Sequence, residues 1–289
     1  MASDQEFERE VEEGEEMTFL EHLEELRWHI IRAFGSIVVF AILAWVYRGW
    51  VYGTVILGPS KTDFWTYRMM CKLGNYLGAD GLCVDAINFK LQNIEVGGQF
   101  KMALTTSGII GLLFAFPYAF WEIWRFIKPG LKFSEKKAAR GAVFFVTLLF
   151  FSGVFFGYYI VTPLVVNFLA NFTLDESIVN EFNIKSYIST IATLTLACGV
   201  AFQLPIVVFV LSKAGILTPA FMREYRRHSV VVILIVAAII TPSPDIFSQV
   251  IVALPLFLLY EVGIFVSASI ERQRRSEEVA LQRRLDEED

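Results

Sequence analysis

Residues 139–168 read "ARGAVFFVTLLFFSGVFFGYYIVTPLVVNF". After Arg140, no Asp, Glu, Lys or Arg interrupts the run. About 20 apolar residues in a helix cross the hydrocarbon core of a bilayer, and this stretch exceeds that length. Outward from it, comparable apolar segments lie at roughly 30–50, 99–124 and 186–212, with two more at 228–241 and 247–266. The first four are long enough to span. The last two are short. Ser229 to Ile240 holds about 12 residues, or roughly 18 Å of helix. Val250 to Tyr260 is similar before Glu261 intervenes. The turn "TPSPD" joins them, so they read as a short helical hairpin that thins the bilayer or leans on longer helices. A re-entrant hairpin is the alternative. The expected fold is all-α: a polytopic integral membrane protein with six transmembrane helices, the last two short.

Composition agrees. The 289 residues are 55% hydrophobic, with 27 Phe and 6 Trp, more apolar than a soluble domain. The net charge of −5 comes largely from an acidic head, Asp4 to Glu16, and the terminal "DEED". Both read as solvated tails and do not indicate a partner. The acidic N-terminus has no apolar core before residue 33, so no cleavable signal peptide is expected. The expected organisation is an acidic tail at 1–17, a membrane domain at 18–268 and a charged tail at 269–289.

Lys and Arg set the orientation. Arg125, Lys128, Lys132, Lys136, Lys137 and Arg140 crowd one loop, 125–140. Lys213, Arg223, Arg226 and Arg227 crowd another, 213–227, and Arg272, Arg274 and Arg275 follow the last span. These sides are cytoplasmic, and an even number of spans puts both termini there. The 51–98 loop is then external. It carries Cys71 and Cys83, which are expected to form a disulfide if the loop faces the oxidising side of a bacterial plasma membrane. Two unpaired thiols in a partly buried cap are the alternative. Cys198, in an apolar run, reads as a packing residue.

Just before the first span lies "TFLEHLEELRWHIIR", residues 18–32. Thr18 and Glu21 have capping-box spacing, so a helix should start here. Helical periodicity puts Phe19, Leu23, Leu26 and Ile30 on one face, and Glu21, Glu25, Trp28 and Arg32 opposite, with Glu24 at the edge. Acids in a first turn suit the helix dipole, and Glu25 can pair with His29 at i+4. Three acids beside an anionic leaflet also suit a receptor for a cation. A carboxylate takes a guanidinium through two parallel hydrogen bonds that Lys cannot mimic. Two adjacent arginines would need a second carboxylate, which Glu135 in "PGLKFSEKK" could supply, although it also reads as a loop acid balancing nearby lysines.

Four motifs in order carry a family resemblance: "HLEELR", "FWEIWRFIKPGLKFSEKK", "GVAFQLP" and "TPSPDIFSQ". Over about residues 18–268 the chain resembles the TatC family, the receptor subunit of the twin-arginine protein translocase. The resemblance implies binding of twin-arginine signal peptides of folded cargo at the cytoplasmic face. It also implies TatA- and TatB-type single-span partners in a multimeric complex, transport driven by the proton-motive force, and residence in the bacterial inner membrane. The family's signal-binding carboxylates fall on Glu25 and Glu135, its motif arginine on Arg27, its loop phenylalanine on Phe126 and its hairpin acid on Asp245. Arg27 is expected to orient Glu24 or fix the helix at the leaflet, and Asp245 to cap the last span or meet partners. Where many members have Glu in the fourth span, this chain has Gln203, which cannot carry a proton. It either meets a partner helix or is satisfied within its own bundle. No metal, cofactor or catalytic group is expected: there is no HExxH, and the three histidines lie near the cytoplasmic boundary. A small-molecule transporter fits poorly, because ionisable groups at mid-span and visible repeats are lacking.

Overall fold

A computed structural model describes residues 19–78, 83, 89–127, 141–175, 180–241 and 246–288. Helix α1 (Phe19–Val46) runs into a short π-helical turn, Val51–Ile56, followed by α2 (Trp65–Leu77) and the strand β1 (Lys90–Gln92). Helix α3 (Gly98–Ile127) returns alongside α1. The next span is composite: α4 (Ala142–Phe156), a π-turn at Gly157–Val161, then α5 (Thr162–Asn171). Strand β2 (Glu181–Asn183) leads into α6 (Ile184–Ala201) and α7 (Leu204–Lys213). The short α8 (Pro219–Glu224) and α9 (Arg226–Ile240) precede α10 (Ile246–Glu288).

Five segments are long and apolar enough to cross a membrane: Glu24–Val46, Gly98–Phe126, Val143–Asn171, Ile184–Lys213 and Ser248–Asp286. Many large apolar side chains on them face outward; Phe34, Phe144, Phe145 and Phe265, for example, are exposed. Helix α9 has 15 residues, about 22 Å, so it is short as expected. The last helix corrects the expectation. It runs 43 residues without interruption and does not stop at Glu261. Glu261, which interrupts the apolar run, lies inside this helix, with Arg226 Nη2 2.6 Å from its Oε2. The all-α expectation also gains a small exception: β1 and β2 form a parallel pair, Lys90 opposite Glu181, tying the 51–98 segment to the start of α6.

Proline explains two breaks. Pro205 cannot donate to the ladder, and the helix breaks at Phe202–Gln203, dividing α6 from α7. Pro163 leaves the carbonyl of Tyr159 without its usual donor four residues on; the Thr66 hydroxyl donates to that oxygen. Pro117 and Pro255 lie inside helices that continue through them.

The principal core joins α5, α6, α9 and α10 through Val165, Leu194, Cys198, Ala237, Val252 and Leu256. Tyrosines fasten the 51–98 segment onto the bundle. Tyr158 donates to Val55 O at 2.6 Å and Tyr187 to Ile56 O at 3.0 Å. The Tyr67 hydroxyl lies 2.9 Å from Pro163 O and 3.0 Å from Pro59 O. Cys71 and Cys83 are joined in this segment, with Cα atoms 4.2 Å apart.

Candidate functional site

At the opposite end of the bundle, the start of α1 meets the end of α3. The two helices approach closely: a Cβ on Gly111 would come within 2.7 Å of Ile37 O. That contact brings Glu122 of α3 against α1. Glu122 is 1% exposed, so its charge requires partners. His29 Nδ1 lies 2.5 Å from Glu122 Oε2, and Arg32 Nε donates to the same oxygen at 3.2 Å. Arg125 stands 4.0 Å from Oε1, and the Tyr118 hydroxyl also reaches this carboxylate.

Two cations therefore face one buried acid, with an imidazole between it and the rim. His29 is itself 4% exposed. Its second nitrogen, Nε2, is 3.7 Å from Glu25 Oε1, and the Glu25 side chain is 40% exposed. The ring of Phe126 meets His29 edge-on, with centroids 6.2 Å apart. The site thus grades from a buried carboxylate, Glu122, to a half-exposed one, Glu25. Chemically, it offers acceptor atoms to a cationic donor arriving from the rim.

The expected residues fall as follows. Glu25 and Phe126 come together around His29. Glu24 and Arg27 are exposed, with no ion pair between them among the described residues. Glu135 and Asp245 lie outside the described residues. Gln203 sits elsewhere, at the α6–α7 break, where its amide donates to Val146 O at 3.2 Å. Its Oε1 is buried without a hydrogen-bond partner. Among the described residues, no group of three His, Cys, Asp or Glu side chains could hold a metal ion.

The expected faces of α1 also shift. Ile30 is 55% exposed, while His29, Ala33 and Ala44 are buried. The buried stripe follows the contact with α3 and not the hydrophobic face. Glu122 escaped the sequence reading, although an acid two residues inside the end of an apolar segment was a usable signal. Local spacing pairs His29 with Glu25; its contact with Glu122 needs the packing of α1 on α3.

Long apolar helices with a charged, partly buried site at one end define a polytopic α-helical membrane protein. A family model described as Sec-independent protein translocase protein (TatC) matches residues 21–255. A TatC protein of Blattabacterium sp. subsp. Periplaneta americana is 36% identical over 264 residues, covering 91% of this chain and 99% of that protein. One from Carboxydothermus hydrogenoformans is 32% identical over 266 residues, covering 92% and 99%. A crystal structure of the twin arginine translocase receptor TatC in DDM aligns with a TM-score of 0.65 at 29% identity, covering 85% of this chain and 99% of that one. The chain belongs to the TatC family of Sec-independent protein translocase proteins.

Proposed function

We propose that this protein is the receptor of a twin-arginine translocase and binds the signal peptides of folded cargo at the cytoplasmic end of α1 and α3. Glu25 takes one guanidinium and Glu135 the other, with Phe126 packing beside them. Glu24 adds negative potential at the rim, and Arg27 anchors α1 at the leaflet. The observation that carries this reading is the Glu25 carboxylate, open at the rim yet backed by the buried His29–Glu122 pair.

The arrangement in the membrane extends the proposal. Helix α9 and the start of α10 form the final hairpin, giving six crossings with both termini cytoplasmic in the bacterial inner membrane. The 51–98 loop is external, where the Cys71–Cys83 disulfide persists. Gln203 serves its own bundle through its amide, which donates to Val146 O. TatA- and TatB-type single-span proteins complete the complex, Asp245 is a candidate to cap the last span or contact them, and the proton-motive force drives transport.

Binding of a labelled twin-arginine peptide to the purified protein in nanodiscs tests the site, with a twin-lysine peptide as control. Glu25→Ala should weaken binding by about 2–3 kcal/mol, the worth of a charge-assisted contact. Equal affinity for both peptides, or unchanged binding by the variant, would remove the assignment.

A further inference from the structure

At the end of the bundle that carries Cys71 and Cys83, several elements enclose a groove of about 590 Å³. Trp45 and Arg48 line it from α1 and the turn that follows, Gln99 and Phe100 from α3, and Ile184 from α6. Two apolar segments meet their limits here: that of α1 ends at Val46 and that of α3 begins at Gly98. Arg48 and Gln99 therefore stand at the membrane–water boundary, the level at which Trp and Tyr collect. Tyr47 and Trp50 are exposed beside them.

Arg48 is exposed, and among the described residues no carboxylate pairs with it. It leans on Trp45 instead, with Cζ 5.7 Å from the ring centroid and Nη1 3.5 Å from the Trp45 carbonyl oxygen. The Trp45 ring meets Phe100 edge-on, with centroids 5.6 Å apart. The guanidinium is thus held at the wall of the groove with most of its N–H donors unspent. A guanidinium takes a phosphate through two parallel hydrogen bonds. A soluble anion would use the rim alone. Below the rim, Phe100 and Leu104, one turn apart on α3, are exposed apolar surface facing the span.

We propose that this groove holds one anionic phospholipid, its phosphate on Arg48 and an acyl chain against Phe100 and Leu104. Gln99 offers a further amide donor on the rim. Tyr52, also in the groove, does not, because its hydroxyl donates to Thr106 at 2.8 Å. A zwitterionic lipid suits the site less well: it brings its own cation, and among the described lining residues there is no carboxylate to receive it. A lipid seated here fastens the end of α1 to α3 and α6. The leaflet that supplies it follows from the orientation proposed above; the binding itself does not depend on it.

Native mass spectrometry of the delipidated full chain in detergent, titrated with phosphatidylglycerol or phosphatidylcholine, tests this. One phosphatidylglycerol should bind ahead of further copies and more tightly than phosphatidylcholine. Arg48→Gln should lower that first affinity about tenfold, as expected for a lost charge-assisted contact. Lys72→Gln, which removes another exposed cation of the same segment, should bind like the wild type. Ala103→Trp fills the groove without touching its charge and should also lose the lipid. Arg48→Gln changes an exposed side chain, so without lipid it should melt with the wild type, and phosphatidylglycerol should raise the melting temperature of the wild type alone. Glycerol phosphate, an anion without chains, should not displace the lipid. Equal affinity for the two lipids, undiminished binding by Arg48→Gln or by Ala103→Trp, an equal loss in Lys72→Gln, or displacement by glycerol phosphate overturns the proposal.

Discussion

The residue that organises the site is Glu122. An acid inside an apolar helix is tolerated only with compensation, and His29, Arg32 and Arg125 provide it from two helices. Removing one partner of a buried charge pair costs about 3–5 kcal/mol, because the other is left uncompensated. Glu122→Ala should fall near the lower end of that range, since the Arg32 side chain is 43% exposed and water can resolvate it. Glu122→Gln should cost less, because its side-chain amide can still hydrogen-bond His29 Nδ1 in either tautomer. Thermal unfolding in one detergent checks both; an alanine variant melting with the wild type would show the network to be energetically idle. Glu25 was legible as a candidate because it stood in a dense acidic string. Glu122 was harder to read, because its importance comes from His29, 93 positions away.

At the scale of elements, the contact of α4 and the π-turn after it with α6 depends on Gly153 and Gly157. A Cβ on Gly153 would meet Cys198 O at 2.5 Å and the Phe202 Cβ at 2.8 Å. One on Gly157 would meet Leu194 O at 3.0 Å. The GxxxG spacing is visible in the sequence, but such spacings are frequent in apolar helices, and only packing shows that this one is a close contact. Gly153→Val should cost about 1–3 kcal/mol by overpacking against backbone. The same change at Gly108, whose Cβ would meet nothing within 4 Å, should be better tolerated. Melting temperatures of the two variants, compared in the same detergent, decide this; equal losses would mean that the Gly153 contact relaxes freely.

Across the whole molecule, the site and the Cys71–Cys83 segment lie at opposite ends of α1 and α3. If the site is cytoplasmic, that segment faces the oxidising side, where a disulfide survives. Protein matured in the cell envelope should resist alkylation at Cys71 and Cys83 until reductant is added, as read by mass spectrometry. Full labelling without reductant would remove the external placement and, with it, the orientation of the whole chain. The short α9 belongs to this scale as well. About 22 Å of helix beside spans of 23 to 39 residues gives a local mismatch that a bilayer meets by thinning.

Length, composition and short motifs were enough to establish a membrane protein with several long apolar helices, an acidic stretch before the first of them and a family. These properties are local: a run of apolar residues is long enough to cross a bilayer whatever it packs against, and a motif needs no partner to be read. Tertiary structure alone decided which acid is buried and which face of α1 is inward. Each of those depends on a group elsewhere in the chain. Glu122 can lie inside the bundle because α1 brings His29 and Arg32 to it. Glu261 can lie among apolar side chains because Arg226, 35 residues earlier, meets its Oε2. A charge in an apolar helix has no fixed cost until its partner's position is known.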